Sequence, residues 1–242
     1  SLINDILQMS KIEDGNVPLT QEIINFDELS QDVLTIIEQR AKDRGIQMQF
    51  CSKKEGLRYP FIYGSPVHLR QIFLNIYGNC IKYNRIGGKI TTMLDYAEAV
   101  GGITTYEWTI TDTGIGMSRE YQEHIFEPFS QEREDARSTQ QGIGLGMAIV
   151  KGLIEKMGGT IEVKSEEGVG STFIIRIPFK LAPAPDTVKK TAAQMDISGL
   201  NLLLVEDNEL NAEIAETLLS DEGANLTVAE DGLQAVRMFQ EK

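Results

Sequence analysis

Leu2, Ile6, Met9 and Ile12 recur at spacings of four and three, the stripe of one helix face. Gly15 and Pro18 stop that helix. It is too short to be stable alone, so it reads as the tail of something longer. Residues 20–26 predict a strand. Asp27 then caps a helix whose stripe is Leu29, Val33, Ile36 and Ile37, ending at Gly45. Ile46, Met48 and Phe50 alternate as a strand does. Pro66 opens a helix over 66–83, with Leu69, Ile72, Phe73, Ile76, Cys80 and Tyr83 on its apolar side. Strands follow over 88–97 and 104–111, then a glycine turn at 112–118 and a short helix over 119–125. A polar loop runs to Gly144 and a helix to Met157. Ile161 to Val163 and Thr172 to Ile177 form an antiparallel hairpin around the turn at Gly168 to Gly170. The pattern predicts an α+β fold, a two-layer sandwich of helices on a mixed sheet.

After this unit the pattern changes. LAPAPDTVKKTAAQ, residues 181–194, has four Ala, two Pro and little apolar patterning, and reads as a linker. Leu202 to Val205 is a continuous apolar run, as in a buried parallel strand. A helix over 209–222, a strand over 225–229 and a helix from 232 give a β-α-β-α order.

Charge sharpens this division. The chain has 36 Asp and Glu against 23 Lys and Arg, a net charge of −13. Residues 181–242 hold twelve acids against four bases, while residues 16–180 hold 21 against 18. The long middle segment can therefore still receive an anionic ligand. The overall charge argues against nucleic acid as a partner, which requires basic surface. Cys51 and Cys80 are the only thiols, which argues against a disulfide framework. No stretch approaches 18 consecutive apolar residues, and the first fifteen lack a basic leader. Neither a membrane span nor a signal peptide is expected within the chain, and a cytoplasmic location is.

Two glycine turns carry candidate chemistry: Asp112-Thr-Gly114-Ile-Gly116 and Gly142-Ile-Gly144-Leu145-Gly146. Arg119 and Met147 stand where G-x-G-x-x-G needs its third glycine, which argues against a dinucleotide site of Rossmann type. The P-loop pattern is absent. Backbone N–H groups freed by Gly142 to Gly146 at a helix N-terminus can cradle phosphates. Asp112, at a strand end, can accept hydrogen bonds from an amino group on a base. Taken alone, each turn is more often structural. On the helix 66–83, Asn75, Asn79 and Lys82 share one face; Asn offers an oxygen suited to Mg²⁺ and Lys a charge for phosphate. A solvated polar face explains that trio equally well.

Together these residues resemble a known family. Asn75-x-x-x-Asn79-x-x-Lys82-Tyr83 resembles the N-box of sensor histidine kinases, and Asp112-x-Gly114-x-Gly116 is similar to their G1 box. Phe126-Glu-Pro-Phe129 resembles their F-box, and Gly142-x-Gly144-x-Gly146 their G2 box. The resemblance covers residues 1–180 and implies the ATP-binding fold of the GHKL superfamily (the Bergerat type). LVEDNELN, residues 204–211, resembles the first acidic turn of a response-regulator receiver, which is an α/β flavodoxin-like fold truncated here. The combination implies a piece of a hybrid histidine kinase. Residues 1–15 would then end a dimerisation and phosphoacceptor bundle and 16–180 would be the catalytic domain. A linker over 181–198 would precede half a receiver at 199–242.

By that resemblance Asp112 binds the adenine amino group, Asn79 ligates Mg²⁺ on the triphosphate, and Asn75 and Lys82 contact phosphates and serve catalysis. Tyr83, Gly114, Gly116, Gly142, Gly144, Leu145 and Gly146 complete the ATP site. Residues 130–144 form a lid that includes Arg137, a weaker phosphate candidate. Phe126 and Phe129 anchor that lid in the core. Glu206 and Asp207 form an incomplete Mg²⁺ pair of the receiver. Ser65 and Asn84 depart from the family pattern, where Asp and Thr or Ser are usual, and bear on capping more than on nucleotide chemistry.

Autophosphorylation requires a nucleophilic histidine. His68, expected to be exposed, and His124, beside the F-box, both lack the family's H-E-x-x-T-P context. The resemblance therefore places the acceptor in the parent protein outside this chain, with a homodimer and a response regulator or phosphotransfer protein as partners. Related ATPases of the gyrase, MutL and heat-shock chaperone kind carry a glutamate base where Asn75 stands, and an amide cannot take that proton. The alternatives are such an ATPase, or a nucleotide-binding interaction module without kinase activity.

Overall fold

A computed structural model describes residues 2–52, 56–131, 144–184 and 197–240, and the chain divides into two units, Leu2–Ala184 and Pro185–Lys242. In the larger unit the elements run α1 (Leu2–Glu13), β1 (Glu22–Asn25), α2 (Phe26–Asp43), β2 (Gln47–Ser52), β3 (Phe61–Gly64) and α3 (Pro66–Lys82). They continue with β4 (Lys89–Tyr96), β5 (Ile103–Asp112), α4 (Arg119–His124), α5 (Gly146–Lys156), β6 (Thr160–Glu166) and β7 (Gly170–Lys180). Five strands form one sheet in the order β2-β4-β5-β7-β6, parallel between β2 and β4 and antiparallel elsewhere. The mixed sheet with helices packed on it is the α+β sandwich that the pattern predicts.

Alternation sets the core. On β5, Tyr106, Trp108, Ile110 and Asp112 face inward at every second position, and on β7 Phe173, Ile175, Ile177 and Phe179 do the same. Phe26 of α2 and Phe73 of α3 close over them, with ring centroids 5.0–5.5 Å from Tyr106 and Trp108. The same period that buries these rings carries Asp112 to the inner face of the sheet.

Three local features differ from the sequence pattern. The α2 cap is Asn25, whose side-chain oxygen accepts from the Asp27 N–H at 3.2 Å, so the helix begins at Phe26 and the preceding strand is only four residues. Strand β3 was not anticipated; it pairs antiparallel with β1, and Ile62 also bridges Leu181. Four residues between Pro60 and Ser65 are too short to show a period. His68 is half-buried rather than exposed, because the Ser65 hydroxyl lies 2.7 Å from its Nδ1 and Thr20 donates to Ser65 in turn.

The smaller unit contains β8 (Asn201–Val205), α6 (Glu209–Asp221), β9 (Asn225–Ala229) and α7 (Gly232–Gln240), with β8 and β9 parallel from Asn201↔Asn225 to Val205↔Ala229. Leu202, Leu203 and Leu204 are only half-buried and Val205 is exposed. Two strands do not enclose the apolar run.

Candidate nucleotide-binding site

Asp112 ends β5 with its carboxylate buried. Its Oδ1 accepts from the Gly114 N–H at 2.7 Å and the Ser171 N–H at 3.3 Å, and the Cys80 thiol donates to the same group. Burial still dominates and raises the Asp112 pKa above its ordinary value, against these donors. Burial likewise pushes the Cys80 thiol well up, helped by the neighbouring carboxylate. Both backbone donors converge on Oδ1, and a carboxylate with two oxygens has acceptor sites beyond those two.

The turn after β5 has no room for side chains at its two glycines. A Cβ on Gly114 would lie 2.5 Å from the Tyr83 carbonyl oxygen, and one on Gly116 (φ +69°) 1.9 Å from that of Glu166. The turn is thereby clamped between the end of α3 and the β6–β7 hairpin, with Ile115 N–H donating to Tyr83 and Gly168 N–H to Ile115. The hairpin side was missed in the sequence: a Cβ on Gly170 would lie 2.0 Å from the Asp112 carbonyl oxygen. The pairing of Thr111 with Thr172 brings Gly170 and Ser171 there, and such long-range register leaves no local signal.

Helix α3 carries Asn75, Asn79 and Lys82, all half-buried; Cys80 on its inner side touches Asp112. The Lys82 ammonium lies 5.0 Å from the centre of the exposed Tyr83 ring. Gly146 opens α5 directly beside Asn75, whose amide carbon would be 3.8 Å from an added Cβ. Leu145, buried, stands at the N-cap without a side-chain hydrogen bond to the first turn. An eleven-residue helix with that start offers N–H groups to an anion. The structure thus brings the N-box, the G1 turn and the described part of the G2 box together. The donor set suits a nucleoside triphosphate with a hard cation: a carboxylate for an amino group, amide oxygens for Mg²⁺, and an ammonium and helix amides for phosphate.

The Gly144 carbonyl accepts from the Phe129 N–H at 3.0 Å, joining the two flanks of residues 132–143. Arg137 and Gly142 lie outside the described residues. Phe129 is not a core anchor: it is 62% exposed and sits at φ +63°, uncommon for a side chain of this size. Phe126 is half-buried, with the Lys151 ammonium 5.8 Å from its ring centre, and Ile125 is the buried residue of the segment.

His124 pairs its Nδ1 with Glu127 Oε1 at 3.0 Å on the surface, which raises its pKa. His68 is lowered by burial. In the smaller unit, Glu206 accepts from the Asn208 N–H and the Asn211 amide, and Asp207 is exposed. Among the described residues no group of three His, Cys, Asp or Glu is placed to hold a metal. No helix among them is long and apolar enough to cross a membrane.

Residues 64–181 match the family described as histidine kinase-, DNA gyrase B-, and HSP90-like ATPase. Over its full length the chain is 32% identical to the sensor histidine kinase AruS of Pseudomonas aeruginosa, covering 24% of that protein. Over 99% of its length it is 30% identical to the aerobic respiration control sensor protein ArcB of Escherichia coli, covering 30% of that protein. The chain thus spans less than a third of these relatives. Full-length ShkA, solved in complex with AMPPNP, superposes with a TM-score of 0.62 at 26% identity, over 98% of this chain and 46% of that one. The catalytic domain of the histidine kinase ThkA superposes with a TM-score of 0.52 at 25% identity, over 65% of this chain and 95% of that one. Residues 64–181 therefore carry a domain similar to the histidine kinase-, DNA gyrase B- and HSP90-like ATPases.

Proposed function

We propose that the larger unit is the catalytic part of a two-component sensor histidine kinase, which directs the ATP γ-phosphoryl group to a histidine outside this chain. The observation that carries this reading is Asp112, a buried carboxylate held by two backbone N–H groups beside an amide-bearing helix and an uncapped helix start. Asp112 accepts a hydrogen bond from the adenine amino group. Asn79 holds Mg²⁺, which supplies charge neutralisation at the phosphates. Asn75, Lys82 and the amides from Gly144 to Gly146 bind and orient the phosphates. Tyr83, Gly114 and Gly116 shape the base side, and Arg137 and Gly142 belong to the lid.

Asn75 supplies no general base for water, and a neutral histidine needs less help because it already presents a lone pair. His68 is engaged by Ser65 and His124 by Glu127, which supports an acceptor elsewhere in the parent. Residues 199–242 are read as the first half of a receiver, with Glu206 and Asp207 as its Mg²⁺ pair. The parallel β8–β9 pair supports this. The parent would act as a homodimer in the cytoplasm, anchored or not through other segments, and would pass phosphate to a response regulator or phosphotransfer protein.

The test is incubation with γ-labelled ATP and Mg²⁺ in the presence of the parent's phosphoacceptor segment. Acid-labile label on that segment's histidine is expected. Nucleotide binding without transfer would make the unit an interaction module, and brisk release of free phosphate would make it an ATPase.

A further inference from the structure

A cavity of about 220 Å³ lies between α2, α3 and the β2 side of the sheet, and none of the residues assigned to the nucleotide lines it. Its inner wall is aromatic and aliphatic: Phe26, Val33, Phe73 and Trp108 are all buried. The polar pair in that wall, Tyr77 and Thr92, is satisfied by a mutual hydroxyl hydrogen bond of 2.6 Å. Toward solvent the lining becomes half-buried or exposed at Ser30, Cys51 and Ser52, so the cavity has a mouth between α2 and β2. Among the described residues, no charged side chain lines it.

The hollow opens at its mouth, and its depth between buried rings exceeds the voids of packed interiors, few of which are larger than a water molecule. Its walls forgo dispersion contacts that a ligand would restore. A cavity of ~150 Å³ lined by Leu, Ile and Phe stays dry and takes up benzene, so the larger volume here accommodates one or two rings. An ion would leave its hydration shell with no compensating charge from the described wall residues, which favours neutral molecules. We propose that this cavity is a second binding site, separate from the nucleotide site, for a neutral and mainly apolar small molecule of one or two rings.

Helix α3 links the two sites. Phe73 and Tyr77 line the cavity, while Asn75 and Asn79 stand on another face of the same helix. The cavity can be tested without nucleotide, so its assignment stands or falls independently of the kinase reading.

Trp108 is the single tryptophan of the chain, and its indole therefore reports directly on the cavity. Toluene titrated into the full chain should change the Trp108 emission along a saturating curve, whereas benzoate, its charged counterpart, should leave it unchanged. Val33→Phe fills the cavity and should weaken the toluene response by about tenfold or more. If circular dichroism shows that this variant does not fold, Leu34→Phe nearer the mouth takes its place. A linear response without saturation, equal responses to toluene and benzoate, or undiminished toluene binding in the folded filled variant would overturn the proposal.

Discussion

Asp112 answers to two opposing demands, a buried position and a charge. Its native pKa is raised, so above that value the ionised group costs stability, and the cost disappears as pH falls to the ordinary 3.8 of the unfolded chain. Asp112→Asn should therefore raise the melting temperature at neutral pH, with the gain fading in acid. The same change should weaken ATP binding by about tenfold or more (~1.5–3 kcal/mol), because an amide can turn a donor toward the adenine amino group. Melting curves across pH, set beside calorimetric titrations, check both signs; a variant that loses stability at neutral pH contradicts the first. Gly116→Ala forces a side chain into positive φ against the Glu166 carbonyl and should cost ~3 kcal/mol or more in denaturant unfolding. Asp112 and Gly116 were visible in the sequence because strand alternation and glycine spacing are local. The Cys80 and Ser171 contacts were not. An apolar stripe announces burial of Cys80 but does not reveal that its neighbour is a carboxylate.

Among the elements, the docking of α1 is the sharpest case. It packs on α5, where a Cβ on Gly152 would lie 2.4 Å from Ile12 Cγ2, and Lys156 donates to the Gly15 carbonyl at 2.8 Å. Gln8 and Gln71 exchange amide hydrogen bonds of 2.7 Å between α1 and α3. Replacing a helix glycine by alanine ordinarily gains ~1 kcal/mol. Gly152→Ala should instead speed hydrogen exchange over residues 2–13, and in an Ile12→Ala background it should be neutral or stabilising. Additive effects of the two changes would contradict a direct contact. Helices α1, α2, α3 and α5 were legible because their stripes run three turns or more. Strand β3 escaped because four residues cannot show a period, and the α2 boundary moved because Asn25 competes with Asp27 for the cap. Phe129 misled because the F-box resemblance suggests a buried ring, whereas the backbone turn at φ +63° leaves it exposed.

For the molecule as a whole, the two units should differ in stability. The larger one buries an aromatic cluster, while the described hydrophobics buried in the smaller one are Ala224, Ala229 and Ala235. Leu233, Val236 and Phe239 of α7 remain exposed. Hydrogen exchange over residues 197–240 should therefore be fast at low protein concentration while the β5–β7 core is protected. Strong protection in a demonstrated monomer contradicts this. Asp231 caps α7, its Oδ1 accepting from the Gln234 N–H at 2.7 Å, so acetyl phosphate with Mg²⁺ should add no phosphate there. Stoichiometric phosphorylation of Asp231 would overturn the half-receiver reading.

The proposed nucleotide site stands or falls on whether the buried Asp112 carboxylate reads adenine. Its most direct test is a pair of calorimetric titrations of the unmodified chain, with ATP and with GTP, both in Mg²⁺. Guanine presents a carbonyl where adenine presents the amino group, so measurable ATP binding is expected, with GTP binding weaker by about tenfold or more. Equal affinities for the two nucleotides would contradict it.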